Sequence, residues 1–213
     1  MRIAFVPVVV LVLVSVLVGA TAAHAVELES LGVKLGGAVQ FPEFAFDGTD
    51  GLDDETTFGF VGGVSSIWEL QRRSAFRIVL ETLYVQKGYE GVRSIDGVDA
   101  EPVDVSVNAD YLSVPILLRV LFAEDDLSIY AVFGPSLEFL LSKDDDVLLD
   151  EFESFAMALN VGLGLEYELG ETQAQFELRF NRDVTSNFGG DDDVFALDEM
   201  FYQMLQVTAG VRF

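Results

Sequence analysis

The sequence contains no cysteine and a single histidine, His24, among its 213 residues. Without cysteine there is no disulfide bond, no thiolate nucleophile and no cysteine-linked lipid anchor. His24 lies in a segment that we expect to be removed, so the mature chain would also lack histidine. These absences argue against Ser-His-Asp and Cys-His nucleophilic sites and against zinc sites with the usual ligands. We therefore expect no enzymatic activity, no catalytic residue, no cofactor and no metal site.

Basic residues are also few, with 12 lysine and arginine residues against 36 acidic residues and a formal net charge of −24. A chain this acidic repels the phosphates of nucleic acids, which argues against a nucleic-acid partner, and we expect none. Such acidity usually accompanies disorder, yet 51% of the residues are hydrophobic, which favours a folded chain. Both facts are explained if the acidic residues are concentrated in loops and the apolar residues form a belt that faces lipid.

The N-terminal segment has the three parts of a secretory signal peptide. Met1-Arg2 is a short positive start, Ile3 to Val18 is an apolar run, and Ala23-His24-Ala25 matches the A-x-A cleavage pattern. We predict a signal peptide at residues 1–25 and a mature domain at residues 26–213. The alternative is a retained membrane helix, since the apolar run and the small residues after it are nearly long enough to span a bilayer.

The mature part alternates repeatedly between apolar and polar residues with a period of two, which is the pattern of strands with two different faces. The predicted strands lie at 29–41, 57–71, 74–88, 106–122, 127–142, 153–168, 172–184 and 199–213. The connections between them alternate between short turns and long loops, and the long loops lie at 42–56, 89–105, 143–152 and 185–198. In outer-membrane barrels the short turns are periplasmic and the long loops are extracellular.

The last predicted strand indicates which face meets lipid. Leu205, Val207, Ala209, Val211 and Phe213 share one face, and the opposite face is polar or small. Outer-membrane barrels have a lipid-facing apolar band, and their chains commonly end in an aromatic residue. The predicted fold class is all-β: an eight-stranded antiparallel up-and-down transmembrane β-barrel in the cell outer membrane, preceded by a cleavable signal peptide, with periplasmic termini.

Aromatic residues fall at the predicted strand ends, where two girdles would mark the boundaries between lipid and water. The short-turn girdle consists of Trp68, Phe76, Phe122, Tyr167, Phe176 and Phe213. The long-loop girdle consists of Phe41, Phe58, Tyr84, Phe139, Phe155, Phe180 and Phe201.

The opposite, inward face of the strands carries ionisable residues of nearly balanced charge: Lys34, Glu69, Arg77, Glu81, Arg119, Glu138, Glu166, Glu168, Glu177, Arg179 and Arg212. An eight-stranded barrel is just wide enough for its side chains to fill the interior. We therefore favour an internal network of salt bridges over a water-filled channel lined by the same residues.

Several sequence motifs resemble the small outer-membrane β-barrel domain family of the PorT-like group, which is OmpA-like in its transmembrane part. The motifs are Tyr111-Leu-Ser-Val-Pro-Ile-Leu-Leu-Arg119, Tyr130-Ala-Val-Phe-Gly-Pro135, Asn160-Val-Gly-Leu-Gly-Leu-Glu166 and Gly210-Val-Arg-Phe213. The resemblance covers most of the mature chain. It implies an eight-stranded barrel inserted by the outer-membrane assembly machinery, and it implies no single activity.

The long loops hold more than half of the acidic residues, with the densest runs at Asp144–Asp146 and Asp191–Asp193. Neither run has the spacing of an EF-hand calcium loop. One hypothesis is a structural or interaction barrel that displays these acidic loops. Its partners would be outer-membrane lipid and lipopolysaccharide, with divalent cations or a cationic surface partner at the loops. The alternative is a transport component, either a narrow pore or an accessory subunit of a secretion system.

Overall fold

The computed structural model describes residues 27–46, 52–70, 75–93, 103–123, 127–145, 153–186 and 197–213. The strands are β1 (Glu27–Phe46), β2 (Leu52–Glu55), β3 (Thr57–Glu69), β4 (Phe76–Arg93), β5 (Val103–Ala123), β6 (Leu127–Asp145), β7 (Phe155–Leu169), β8 (Thr172–Asp183) and β9 (Leu197–Arg212). Within these ranges no helix is long and apolar enough to cross a membrane. The predicted signal peptide lies outside the described residues and stays a prediction.

The strands close into a single antiparallel barrel. β2 and β3 both pair with β4, so they are two segments of one barrel strand and the barrel has eight strands in all. Each strand pairs with its neighbours in the chain, and β1 closes the barrel by pairing with β9 as well as β3. At the seam, the N–H groups of Leu31 and Phe213 each donate to the other's carbonyl oxygen, at 3.0 and 2.9 Å. Closure leaves no sheet edge, and the predicted fold class is confirmed.

The predicted strands match the observed ones, except that several observed strands continue further toward the long loops. β4 and β5 stay paired as far as Arg93 and Val103, beyond the predicted ends at 88 and 106. β1 likewise continues to Phe46 and β6 to Asp145. These extensions fall in ranges that the sequence analysis assigned to long loops, because acidic residues and glycines are frequent there.

Exposure alternates along β7 from Phe155 to Tyr167 and shows which face is which. Leu159, Val161 and Leu163 are 54%, 56% and 61% exposed, whereas the polar and small residues between them are buried. A barrel in water would hide its leucines, because exposed apolar area costs about 25 cal/mol per Å². The exposed leucine and valine side chains and the buried polar residues agree with the prediction that the apolar face meets lipid.

The interior is narrow enough to require glycine at particular points. A Cβ atom added to Gly164 would lie 2.1 Å from the ring of Tyr130, which points inward from the neighbouring strand β6. The absence of a side chain at Gly164 therefore makes room for a tyrosine inside the barrel.

Most of the predicted girdle aromatics are exposed on the outer surface. The exposed set is Phe76, Phe122, Tyr167, Phe176 and Phe213 at the short-turn end and Phe41, Phe58, Phe155 and Phe180 at the long-loop end. Tyr84, Phe139 and Phe201 are partly covered. The prediction was wrong for Trp68, which is only 3% exposed and whose indole Nε1 donates to Ser66 Oγ at 3.0 Å.

Candidate functional site

The inward-facing side chains form three groups of ion pairs that follow one another along the barrel axis. We name them the central cluster (Lys34, Glu81, Glu177 and Arg179), the long-loop cluster (Lys87, Glu138 and Asp183) and the short-turn cluster (Glu29, Glu69, Arg77, Arg119, Glu166 and Arg212). The clusters are the only chemistry-bearing constellation in the described part of the interior, so we treat them as the candidate site.

The central cluster contains two bases and two acids. Lys34 Nζ lies 2.6 Å from Glu81 Oε1 and 3.2 Å from Glu177 Oε2. Arg179 Nη1 lies 2.7 Å from Glu81 Oε2, and the same guanidinium also pairs with Glu177. Glu81 belongs to β4 and Arg179 to β8, which are four strands apart in either direction around the barrel. Their ion pair therefore spans the full width of the lumen.

The long-loop cluster surrounds one lysine. Lys87 Nζ lies 2.6 Å from Glu138 Oε2 and 2.9 Å from Asp183 Oδ1, and the three side chains have no solvent-exposed surface. The ammonium also lies 4.9 and 5.1 Å from the ring centroids of Tyr111 and Tyr202, which are cation–π distances. Since Lys87 and Asp183 come from the opposite strands β4 and β8, this cluster is a second bridge across the lumen.

The short-turn cluster is more open to solvent. Arg77 pairs with Glu29 and lies 3.7 Å from Glu69, and these two acidic side chains are 29% and 21% exposed. Arg212 lies 3.3 Å from Glu166, deeper in the barrel. Solvent therefore reaches the interior at this end.

Arg119 closes the inner side of the short-turn cluster. Its guanidinium pairs with Glu166 and stacks on Tyr130, with 3.7 Å between the guanidinium carbon and the ring centroid. The Tyr130 hydroxyl donates to Glu177 Oε2 at 3.1 Å, which links this cluster to the central one.

The inward register of the predicted ionisable residues is confirmed for nine of them, which are buried: Lys34, Arg77, Glu81, Arg119, Glu138, Glu166, Glu177, Arg179 and Arg212. Glu69 is partly exposed, and Glu168 is exposed near the end of β7, where it keeps the register of the buried Glu166 but is open to solvent. Sequence reasoning missed Lys87, Asp183 and Glu29. The sequence could have identified two of them, because an even spacing places residues on the same face of a strand. Lys87 is six residues from Glu81 in β4, and Asp183 is four residues from Arg179 in β8.

This arrangement is suited to filling the lumen and holding opposite walls together. Each buried carboxylate of the central and long-loop clusters faces a buried base, so the charges are compensated in the interior instead of in water. Among the residues that the structure describes, no group of three or more His, Cys, Asp or Glu side chains could hold a metal ion. The expectations of no metal, no cofactor and no enzymatic activity stay predictions.

The two acidic runs lie largely outside the described residues. Only the backbone of Asp144 and Asp145 is described, at the end of β6, and Asp191–Asp193 fall between β8 and β9 in a range that is not described. The predictions about these loops therefore depend on the sequence alone.

The family model of the outer membrane protein beta-barrel domain matches residues 11–213. The chain belongs to this family. It is an outer-membrane β-barrel of the OmpA-like type, which confirms the family and the location expected from the sequence, while the PorT-like subtype stays a prediction. Comparison with curated proteins gave no match.

Three solved structures are similar to this outer-membrane barrel. Neisserial surface protein A is 14% identical, with 86% of this chain and 97% of that chain covered and a TM-score of 0.47. The outer membrane protein OprG from Pseudomonas aeruginosa is 11% identical, with 88% and 97% covered and a TM-score of 0.49. Ail, the attachment invasion locus protein of Yersinia pestis, is 15% identical, with 87% and 99% covered and a TM-score of 0.39.

Proposed function

We propose that this outer-membrane barrel is a closed, non-enzymatic membrane platform that displays acidic loops for contacts at the cell surface. The observation that carries the proposal is the pair of ion bridges across the lumen, Glu81 with Arg179 and Lys87 with Asp183. A pore needs a continuous water column through the barrel. Two layers of side chains that meet from opposite walls occupy the space where that column would run.

The burial of the bridges supports the same reading. Lys87, Glu138 and Asp183 have fully covered side chains, and Glu81 is also fully covered. Side chains that line an aqueous channel keep part of their surface in water. Charges that are instead enclosed among bases, acids and tyrosines favour a packed interior.

With the lumen filled, the long loops are the part of the molecule left to carry specific contacts. Their composition is strongly acidic, and clustered carboxylates attract cations or basic surfaces. The expected partners are a cationic protein surface, or lipopolysaccharide phosphates bridged by divalent cations. Insertion itself is expected to use the outer-membrane assembly machinery acting on the C-terminal strand.

Conductance in a planar lipid bilayer tests the closed lumen. The wild type should give no reproducible current steps. The double variant Glu81→Ala/Arg179→Ala removes both halves of one bridge, and its current is recorded for comparison. Regular single-channel steps from the wild type would contradict the proposal and favour transport through a narrow pore. Folding of both proteins is checked by the shift in gel migration on boiling.

Crosslinking in intact cells tests the display of the loops. A protein in which Asp191, Asp192 and Asp193 are all changed to Asn keeps the barrel and removes three charges. The wild type should yield surface-specific crosslinked partners that this variant loses. Identical partner sets for both proteins would argue against a role for the acidic run.

A further inference from the structure

Side chains from five different strands meet around one ammonium group near the long-loop end of the lumen. Lys87 Nζ of β4 lies 2.6 Å from Glu138 Oε2 of β6, and 2.9 and 3.0 Å from the two carboxylate oxygens of Asp183 of β8. Tyr111 of β5 and Tyr202 of β9 place their ring centroids 4.9 and 5.1 Å from the same nitrogen. We name the four groups around the nitrogen, Glu138, Asp183, Tyr111 and Tyr202, the ammonium box.

The carboxylates of the ammonium box are held by contacts that do not involve the lysine. The backbone N–H of Tyr202 donates to Asp183 Oδ2 at 3.1 Å, so β9 helps to fix a carboxylate of β8. Ser113 Oγ and Ser136 Oγ both donate to Glu138 Oε1 at 3.4 Å. These bonds come from the strands that carry the walls. We therefore expect the box to keep its shape when the lysine side chain is removed.

A β-bulge in β6 shapes the wall next to the box. Tyr111 pairs with Leu140, and the next residue back, Asp110, pairs with Ser142, so Leu141 is the extra residue. By the period-two pattern of β6, Ser142 would point into the lumen. The bulge turns it outward instead, where Ser142 Oγ donates to Asp110 Oδ2 at 2.8 Å. The bulge therefore keeps a further hydroxyl group away from the box.

The composition of the box selects for a primary ammonium ion. Two carboxylates attract positive charge and accept hydrogen bonds from N–H groups, and the faces of tyrosine rings attract cations within about 6 Å. A neutral molecule gains no such attraction, and a quaternary ammonium ion has no N–H group to donate. Tyr111 is fully buried, and its hydroxyl has no hydrogen-bond partner among the described residues, so the wall keeps one more polar group for a ligand.

A cavity gives access to the stretch of wall beside the box. It has a volume of about 330 Å³, and Gln86, Lys87 and Gly88 are part of its lining. A side chain completes the wall there, because Gln40 Nε2 donates to Gln86 O and the Gly88 N–H donates to Gln40 Oε1, both at 2.7 Å. We therefore expect small ions to reach the box from this side.

We infer that the ammonium box is a binding site for a small primary alkylammonium ion, and that Lys87 occupies it as an intramolecular ligand. A tethered ligand is present at a high effective concentration, so free amines do not displace it from the wild type. Removal of the lysine leaves two buried carboxylates without their cation, which is costly and drives the uptake of a free ammonium ion. The inference does not depend on the proposed role of the loops or on a closed lumen.

Chemical rescue of Lys87→Ala tests this site. Propylammonium supplies the three carbon atoms and the ammonium group that the substitution removes. In lipid vesicles at a fixed urea concentration, it should raise the ratio of folded to unfolded variant at least tenfold, as read from the gel shift on boiling. The compound 1-propanol, which has the same size and no charge, should not. The wild type should respond to neither compound, because Lys87 fills the box.

The matched control is the triple variant Lys87→Ala/Glu138→Gln/Asp183→Asn. Its box is neutral and needs no cation, so propylammonium should leave its folded ratio unchanged. An equal response of Lys87→Ala to 1-propanol, an equal response of the triple variant to propylammonium, or a folded Lys87→Ala that ignores propylammonium would overturn the inference.

A second measurement decides the question if Lys87→Ala does not fold even with the amine. The chain has no cysteine, so Lys87→Cys can be alkylated at a single position in the unfolded state. Bromoethylamine rebuilds an ammonium side chain of nearly the length of lysine, whereas iodoacetamide adds a neutral amide. The aminoethylated protein should refold to the level of the wild type, and the amide form at least tenfold less. Equal refolding of the two forms would also overturn the inference.

Discussion

Arg179 Nη1 and Glu81 Oε2 lie 2.7 Å apart although their strands, β8 and β4, stand on opposite sides of the barrel. Lys34 joins the same glutamate from β1 at 2.6 Å, so a single carboxylate ties three walls together. We therefore expect the ion pairs of the interior to stabilise the barrel, and the first prediction follows from this.

Replacing Arg179 with methionine should destabilise the barrel by about 3–5 kcal/mol, because Glu81 and Glu177 would then share one base, Lys34, in a buried site. Replacing Arg179 and Glu81 together by methionine should cost clearly less than the sum of the two single changes. Urea unfolding in lipid vesicles measures these differences. The exposed change Glu153→Gln is the control and should stay within about 0.5 kcal/mol. Strict additivity of the two methionine changes would show that the bridge is not a coupled unit.

The second prediction concerns Lys87, the one base of the long-loop cluster. Lys87→Met leaves Glu138 and Asp183 buried without a cation, so the barrel should lose stability by about 3–5 kcal/mol. Adding Glu138→Gln and Asp183→Asn to the same protein should restore much of the loss, because no uncompensated charge then remains inside. The unfolding midpoint in urea reports both steps, and a triple variant no more stable than Lys87→Met would contradict the explanation.

Which residues of a strand point inward could be predicted from the sequence, because inward and outward positions alternate along the strand. Lys34, Glu81 and Arg179 all lie inside as their registers require. The choice of partners could not be predicted, since it depends on which strands stand opposite each other after closure and how far they are shifted. No local pattern in the sequence brings residues 81 and 179 together.

The bulge at Leu141 shows a second limit of sequence reasoning. An extra residue in one strand reverses the face of everything beyond it, yet it leaves no mark on composition. Ser142 is therefore outward, against the period-two pattern of β6, and its hydrogen bond to Asp110 could not be found from the sequence. Trp68 shows a third limit of sequence reasoning. Its placement in the short-turn girdle was predicted only from its position near a strand end, and the structure buries it.

The third prediction uses the contact between Gly164 and Tyr130. Gly164→Ala should reduce the folded yield, because the new Cβ would lie 2.1 Å from the tyrosine ring. The matched control is Gly37→Ala, whose Cβ would meet its nearest atom at 3.4 Å and should be tolerated. Adding Tyr130→Ala to Gly164→Ala should recover folding, as measured by the gel shift on boiling. A normal yield from Gly164→Ala alone would mean that the ring moves away without cost.

The fourth prediction concerns assembly. Phe213 is 64% exposed on the outer face, and its backbone closes the seam to Leu31. Deleting Phe213 or changing it to Asp should slow insertion far more than Gln203→Ala. A charge near the interface costs only about 0–1 kcal/mol at equilibrium, so the effect should appear in the rate. Time-resolved appearance of the folded form in cells measures this, and equal rates would show that the C-terminal residue is not an assembly signal.

The last prediction concerns the acidic loops. Clustered carboxylates such as Asp191–Asp193 repel one another at low salt, and the screening length falls from about 30 Å at 0.01 M to about 3 Å at 1 M. The loops should therefore become more resistant to protease in intact cells as salt rises, while the barrel, whose central and long-loop clusters are buried, should not change. If the acids bridge divalent cations to lipopolysaccharide, calcium or magnesium should protect at far lower concentration than sodium. Equal protection at matched ionic strength would instead indicate screening alone. Protection that does not depend on salt or on cation would remove the basis for a cation-bridged partner, because neither repulsion nor bridging would then govern the loops.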